Sequence, residues 1–90
     1  MRELRLYETD FPDARSVHDY LAEHLGFPSY YGANLAALQD CLEDLEDPVS
    51  IVVERVDDDH WDERPWFGRI CDVLIRAARE GDVLHLSIRR

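Results

Sequence analysis

PSYYGANLAALQDCLEDL, Pro28 to Leu45, places two adjacent tyrosines and a glycine directly before a helix whose outer face is almost wholly acidic. Asn34 reads as the helix N-cap, because its side-chain oxygen can accept from the first orphan N–H groups. Leu35, Leu38, Leu42 and Leu45 follow at the offsets of one buried stripe. The positions left over put Asp40, Glu43, Asp44 and Asp47 on roughly one outer side. Carboxylates three and four apart on a helix repel by about 0.2 to 0.5 kcal/mol per pair, and no lysine or arginine in the stretch relieves them. Two readings fit such a face: a solvated side of an acidic protein, or an anionic surface shaped for a cationic pocket. Tyr30 and Tyr31 favour the second. They sit between Pro28 and Gly32, outside both neighbouring helices, so at least one ring should reach the surface beside the acids. Rigid aromatic surface next to carboxylates is the composition of a binding hot spot. The other ring is expected to pin the loop to the core.

Upstream of this stretch, Leu4 and Leu6 alternate with Arg5 and Tyr7 in a short first strand, and Phe11, Pro12 and Asp13 make a turn. Ser16 is expected to open a helix, with Asp19 at the capping-box spacing. Val17, Tyr20, Leu21 and Leu25 form its buried stripe; Gly26 closes it, and Phe27 packs back over the cap. Downstream, Asp47-Pro48 ends the acidic helix. Val49, Ile51, Val52 and Val53 then form a near-continuous β-branched run, the mark of a strand covered on both faces or lying at the centre of a sheet. Asp57 to Arg64 read as a polar surface connection. From Pro65, the residues Trp66, Phe67, Ile70, Val73, Leu74, Ala77 and Ala78 recur at helical spacing through Glu80, and Gly81 is expected to supply a left-handed C-cap. Leu84, Leu86 and Ile88 alternate with Val83, His85 and Ser87 in a half-buried edge strand. Strands separated by helices imply parallel pairing with right-handed crossovers.

Ninety residues can bury roughly 60 to 65% of the unfolded surface and fold around a single core without staples. A hydrophobic share of 46% argues against disorder, and a net charge of -10 argues against unassisted binding to phosphates or anionic membranes. Any partner is expected to be basic. The amino terminus has no apolar run of signal-peptide length and no segment approaches a membrane span, so a cytoplasmic location is expected. Cys41 and Cys71 both fall in expected helices and read there as buried thiols.

Three constellations offer other chemistry. Asp57, Asp58, Asp59, His60, Asp62 and Glu63 present oxygen ligands, yet lack the glycine and ligand order of a calcium loop. Cys41 with His18, His24, His60 or His85 can in principle pair a thiolate with a base, but the acids around Cys41 oppose the thiolate. Asp40 with Asp44 or Glu43 can in principle act as acid and base; a convex helix, however, has no low-dielectric cleft to separate their pKa values.

Pro28, Tyr30, Tyr31, Gly32, Asn34, Leu35, Ala37, Leu38, Asp40, Cys41 and Leu42 stand in register with the pattern of the barstar family, intracellular inhibitors of a barnase-type secreted ribonuclease. The chain resembles that family in length and element order as well. The resemblance implies an α/β fold over residues 1–90, one domain with a three-stranded parallel sheet and three to four helices packed on it. It also implies an inhibitor rather than an enzyme, with no catalytic residue, cofactor or metal. The implied partner is a basic ribonuclease, bound one-to-one by a chain that is monomeric when free. Asp40 would stand in for the RNA phosphate and Tyr30 would pack over the nuclease's catalytic histidine, within an edge comprising Tyr30, Tyr31, Gly32, Asn34, Leu35, Gln39, Asp40, Glu43, Asp44 and Glu46. Ala36, Gln39 and Arg76 depart from the family pattern, replacing an acid, a tryptophan and a glutamate. The alternative is an immunity or adaptor protein on the same scaffold that binds a different basic toxin or cellular partner.

Overall fold

The computed structural model describes residues 2–55 and 65–89. The expected connection at Asp57 to Arg64, and with it the acidic metal-ligand candidate, lies outside the described residues. Strand β1 (Arg2–Tyr7) is followed by a 3-10 turn at Glu8–Asp10, helix α1 (Ala14–Leu25), helix α2 (Leu35–Glu43), strand β2 (Val49–Glu54), helix α3 (Pro65–Glu80) and strand β3 (Leu84–Arg89). The three strands form one parallel sheet in the order β1-β2-β3, so the β-branched run is the middle strand, as its composition predicts.

The register explains why β2 reads as apolar on nearly every residue. Leu4, Ile51 and Leu86 align across one face, as do Leu6, Val53 and Ile88. This is the face that the helices cover: Leu6, Ile51 and Val53 are fully buried, together with Val17 and Leu21 of α1, Leu38 of α2 and Phe67 and Leu74 of α3. The opposite face is polar and wet, with Arg5 and Arg89 both reaching Glu54 at 3.7 and 3.8 Å. Val52 is the apolar exception there, 8% exposed between its neighbours Arg5 and Ser87. The centre of the sheet, rather than cover on both faces, accounts for the apolar run. Along β3 the alternation fades from buried Leu84 through half-buried Leu86 to Ile88, 38% exposed.

Helix boundaries differ from the sequence reading in three places. Helix α1 starts at Ala14, not Ser16: Asp13 is the N-cap and accepts the Ser16 N–H at 2.9 Å, while Ser16 serves at the third position of the box. Asp13/Ser16 and Ser16/Asp19 share one spacing. The earlier pair wins because an aspartate caps well and Asp19 is taken by Arg15 at 3.0 Å. Helix α2 ends at Glu43 rather than Leu45, with Asp44 as a right-handed C-cap. The run of Glu43, Asp44, Glu46 and Asp47 loads the negative end of the helix dipole with carboxylates, and Pro48 disfavours helical geometry before it. Gly81 is not left-handed. Among the described glycines only Gly26 has positive φ, at 71°, where its N–H and that of Phe27 both fall on the Ala22 carbonyl.

The core also holds polar groups that no local pattern announced. Glu8 is fully buried and its Oε1 accepts from Arg55 Nε at 2.9 Å, beneath a guanidinium lying 5.4 Å from the Phe67 ring centre. Burial pushes the nearby Cys71 thiol up to about 11, against the opposing pull of Arg55.

Candidate partner-binding site

The loop between α1 and α2 is built by three local devices. The left-handed Gly26 reverses the chain, and the Tyr31 N–H then donates to the Pro28 carbonyl at 3.0 Å, closing a turn with Tyr30 at its corner. A corner residue has no sheet or helix to lie against, and Tyr30 is 86% exposed. Tyr31 points the other way. Its ring packs 5.0 Å from Phe27 and 5.8 Å from His18, and its hydroxyl lies 2.6 Å from His18 Nδ1. One tyrosine is therefore surface and one is anchor, the division expected from the sequence.

Asn34 does the capping assigned to it: Oδ1 accepts the Ala37 N–H at 2.8 Å and Nδ2 donates to the Gly32 carbonyl at 3.4 Å. A Cβ on Gly32 would meet Asn34 Nδ2 at 3.0 Å, so close approach explains that glycine. Ala33 is the second left-handed residue of the loop after Gly26, with φ of 52°.

A groove of about 490 Å³ runs between this loop and α2. Tyr30, Tyr31, Gly32, Asp40, Asp44 and Glu46 of the expected edge all line it. The remaining four lie elsewhere. Asn34 is occupied as the cap. Leu35 is 36% exposed on the first turn, outside the buried stripe, which runs through Leu38 and Leu42 to half-buried Leu45. Gln39 Nε2 donates to Glu43 at 3.4 Å, and Glu43 borders a second depression of about 300 Å³ with Leu42, Ala77 and Leu84. Of the departures from the family pattern, Ala36 and Arg76 are exposed and Gln39 is half-buried.

Two expectations are corrected here. The surface beside Asp40 is concave rather than convex, because the Tyr30 loop rises against α2 as a second wall. Cys41 is half-exposed and lines the groove, whereas Cys71 alone is buried. Sequence reasoning also missed Arg2 at the groove's far end, where its Nη1 donates to the last-turn carbonyl of His24 at 2.9 Å. No local signal marks that residue; only the pairing of Arg2 with Val49 brings it there.

The electrostatics favour recognition over covalent chemistry. Burial, then Asp44 and Asp40, push the Cys41 thiol up, which keeps it protonated and a poor nucleophile. Burial, with Cys41 and Asp19 adding, pushes the Tyr31 phenol up to about 12. His18 is held below its ordinary value mainly by burial, and its Nδ1 faces Tyr31, so it is no base for Cys41. Among the described residues no three His, Cys, Asp or Glu converge to hold a metal ion, and no helix is long and apolar enough to cross a membrane.

Fold and groove together define a small α/β protein with helices on one face of a parallel sheet and an acidic, aromatic edge open to solvent. The chain belongs to the barstar family: the family model described as Barstar (barnase inhibitor) matches residues 1–89. It is also similar to a protein of Bacillus subtilis (strain 168) named "Putative ribonuclease inhibitor YrdF", 41% identical over 56 residues, or 61% of this chain. That match covers 62% of the relative, so the chain spans less than two thirds of its length.

Proposed function

We propose that this chain inhibits a basic microbial ribonuclease of the guanyl type by seating its acidic groove and Tyr30 over the nuclease active site. The observation that carries the reading is the convergence of an 86% exposed Tyr30 with Asp40 and Asp44 on one groove. An enzyme that binds RNA phosphate must present cations. A carboxylate held beside a rigid ring is the complement of such a site, bidentate to an arginine through Asp40 and stacked on an imidazole through Tyr30. The family membership and the name of the Bacillus relative support the same class of partner. Ala36 in the first turn and Gln39 in the middle of α2 lack the acid and the tryptophan of the family pattern, while Asp44, Glu46 and Asp47 extend the acidic lining past the helix end. The footprint is thus displaced toward Pro48, which adapts the chain to a nuclease whose cations are set further along.

The test mixes the purified chain with several secreted guanyl-specific ribonucleases and follows RNA cleavage during titration. Cleavage should fall to background at one-to-one stoichiometry, and the chain alone should hydrolyse nothing. Undiminished cleavage with the chain in excess over every nuclease would leave the immunity or adaptor reading, to be pursued with other basic toxins.

A further inference from the structure

The hydrogen bond between His18 and Tyr31 joins the core to the groove. His18 sits in α1, 3% exposed; Tyr31 sits in the loop, lines the groove, and is followed at once by Gly32 and the left-handed Ala33. Among the described residues, Tyr31 is held by its turn bond to Pro28, ring packing on Phe27 and His18, and this side-chain hydrogen bond at 2.6 Å. Tyr30 is the adjacent residue, 86% exposed, and among the described residues the Pro28–Tyr31 turn is what fixes its direction.

Resting on the ribonuclease-inhibitor reading, we propose that His18 is the positioning residue of the binding edge: neutral, it accepts the Tyr31 hydroxyl proton at Nδ1 and fixes the Tyr30–Gly32 loop, and charged, it releases that loop and the partner with it. A neutral imidazole accepting at Nδ1 carries its own hydrogen on Nε2; once protonated, Nδ1 is a donor as well, so the 2.6 Å contact survives only if the phenol reverses, accepting on its oxygen and turning its own proton away. The phenol cannot ionise to compensate, since its burial keeps it protonated far above neutral pH. The charged groups facing the ring are Asp19 and Arg15 from its own helix, of opposite effect, with Cys41 of α2 acting on the Tyr31 side. None supplies a second acceptor for the phenol in the described contacts. The consequence is an inhibitor that holds its partner in a neutral interior and lets go as the medium turns acidic.

Two measurements separate this inference from the function it rests on. In the free chain, the backbone amide shifts of residues 29–32 should follow the His18 ring titration with one midpoint by NMR, and should lose that step in His18→Asn, whose amide oxygen stands near the Nδ1 position without titrating. Loop amides that stay flat through the His18 midpoint overturn the coupling, whatever the partner proves to be. With a guanyl-specific ribonuclease that the chain inhibits, the wild-type Kd should rise several-fold more than that of His18→Asn as the pH falls from about 7.5 to well below 6.5, the nuclease's own titration cancelling in the ratio. His18→Leu should bind roughly tenfold more weakly at both pH values, and equal binding by wild type and His18→Leu overturns the positioning role. Should the His18 variants fail to fold, Tyr31→Phe removes only the hydroxyl and must likewise abolish the extra pH dependence.

Discussion

Asp40 and Glu46 both line the groove and carry the same formal charge, yet they should behave differently on binding. If Asp40 replaces a phosphate, it is dried out against cations, and Asp40→Ala leaves those partner charges unpaired. The expected cost is about 2 to 5 kcal/mol, mostly as faster dissociation. Glu46→Ala, beyond the helix end where water persists, should cost less than about 1 kcal/mol and act on association. Surface-immobilised kinetics on the two variants decides the matter, and equal costs would reduce the site to a diffuse acidic footprint. Asp40 is exposed in the free chain, so its removal should move the folding midpoint by less than about 0.5 kcal/mol. Ala33 is the opposite case, a residue whose substitution concerns stability first. Its φ of 52° costs an alanine on the order of 1 kcal/mol, and Ala33→Gly should raise stability by about 0.5 to 1 kcal/mol in chemical denaturation.

At the scale of elements, the start of α1 provides a direct comparison of two caps with the same spacing. Asp13 holds the Ser16 N–H, while Asp19 holds only an exposed arginine. Asp13→Ala should therefore destabilise by about 1 kcal/mol, against less than about 0.5 kcal/mol for Asp19→Ala, both read from denaturant midpoints. Reversal of that order would restore Ser16 as the cap. The early end of α2 follows from the same physics of helix termini. Four carboxylates at or just past the negative pole favour unwinding, and the unwound Asp44–Asp47 segment is what carries the acidic lining beyond the helix into the groove.

The whole molecule contributes through its net charge and its buried histidine. A chain of charge -10 approaching a basic partner associates through long-range attraction that salt screens within about 10 Å at 0.1 M. The association rate should fall steeply as salt rises, and a flat rate would make the acidic face a bystander. Folding stability carries a separate pH dependence. Unfolded His18 takes up its proton near 6.5, whereas the folded residue does so only at lower pH. Below 6.5 the unfolded chain therefore holds more protons, so His18's contribution is complete above 6.5, declines as pH falls from there toward the folded value, and is level below it. Denaturant midpoints measured across that window should show the decline, and His18→Asn should flatten it.

Much of the fold was legible because it is written in short-range periodicity. The central place of Val49–Val53, the Asn34 cap, the Gly26 reversal and the split between Tyr30 and Tyr31 each depend on residues within a turn or two of one another. The candidate site was legible to the same extent, since Tyr30, Asp40 and Asp44 belong to one continuous segment. Register and docking decided the rest. Glu8 meets Arg55 across 47 positions and His18 meets Tyr31 across 13, with no common period to link them. Arg2 reaches the groove only because β1 pairs with β2. The concavity itself arises where a loop packs against a helix, and side-chain spacing along one element carries no information about the wall another element supplies.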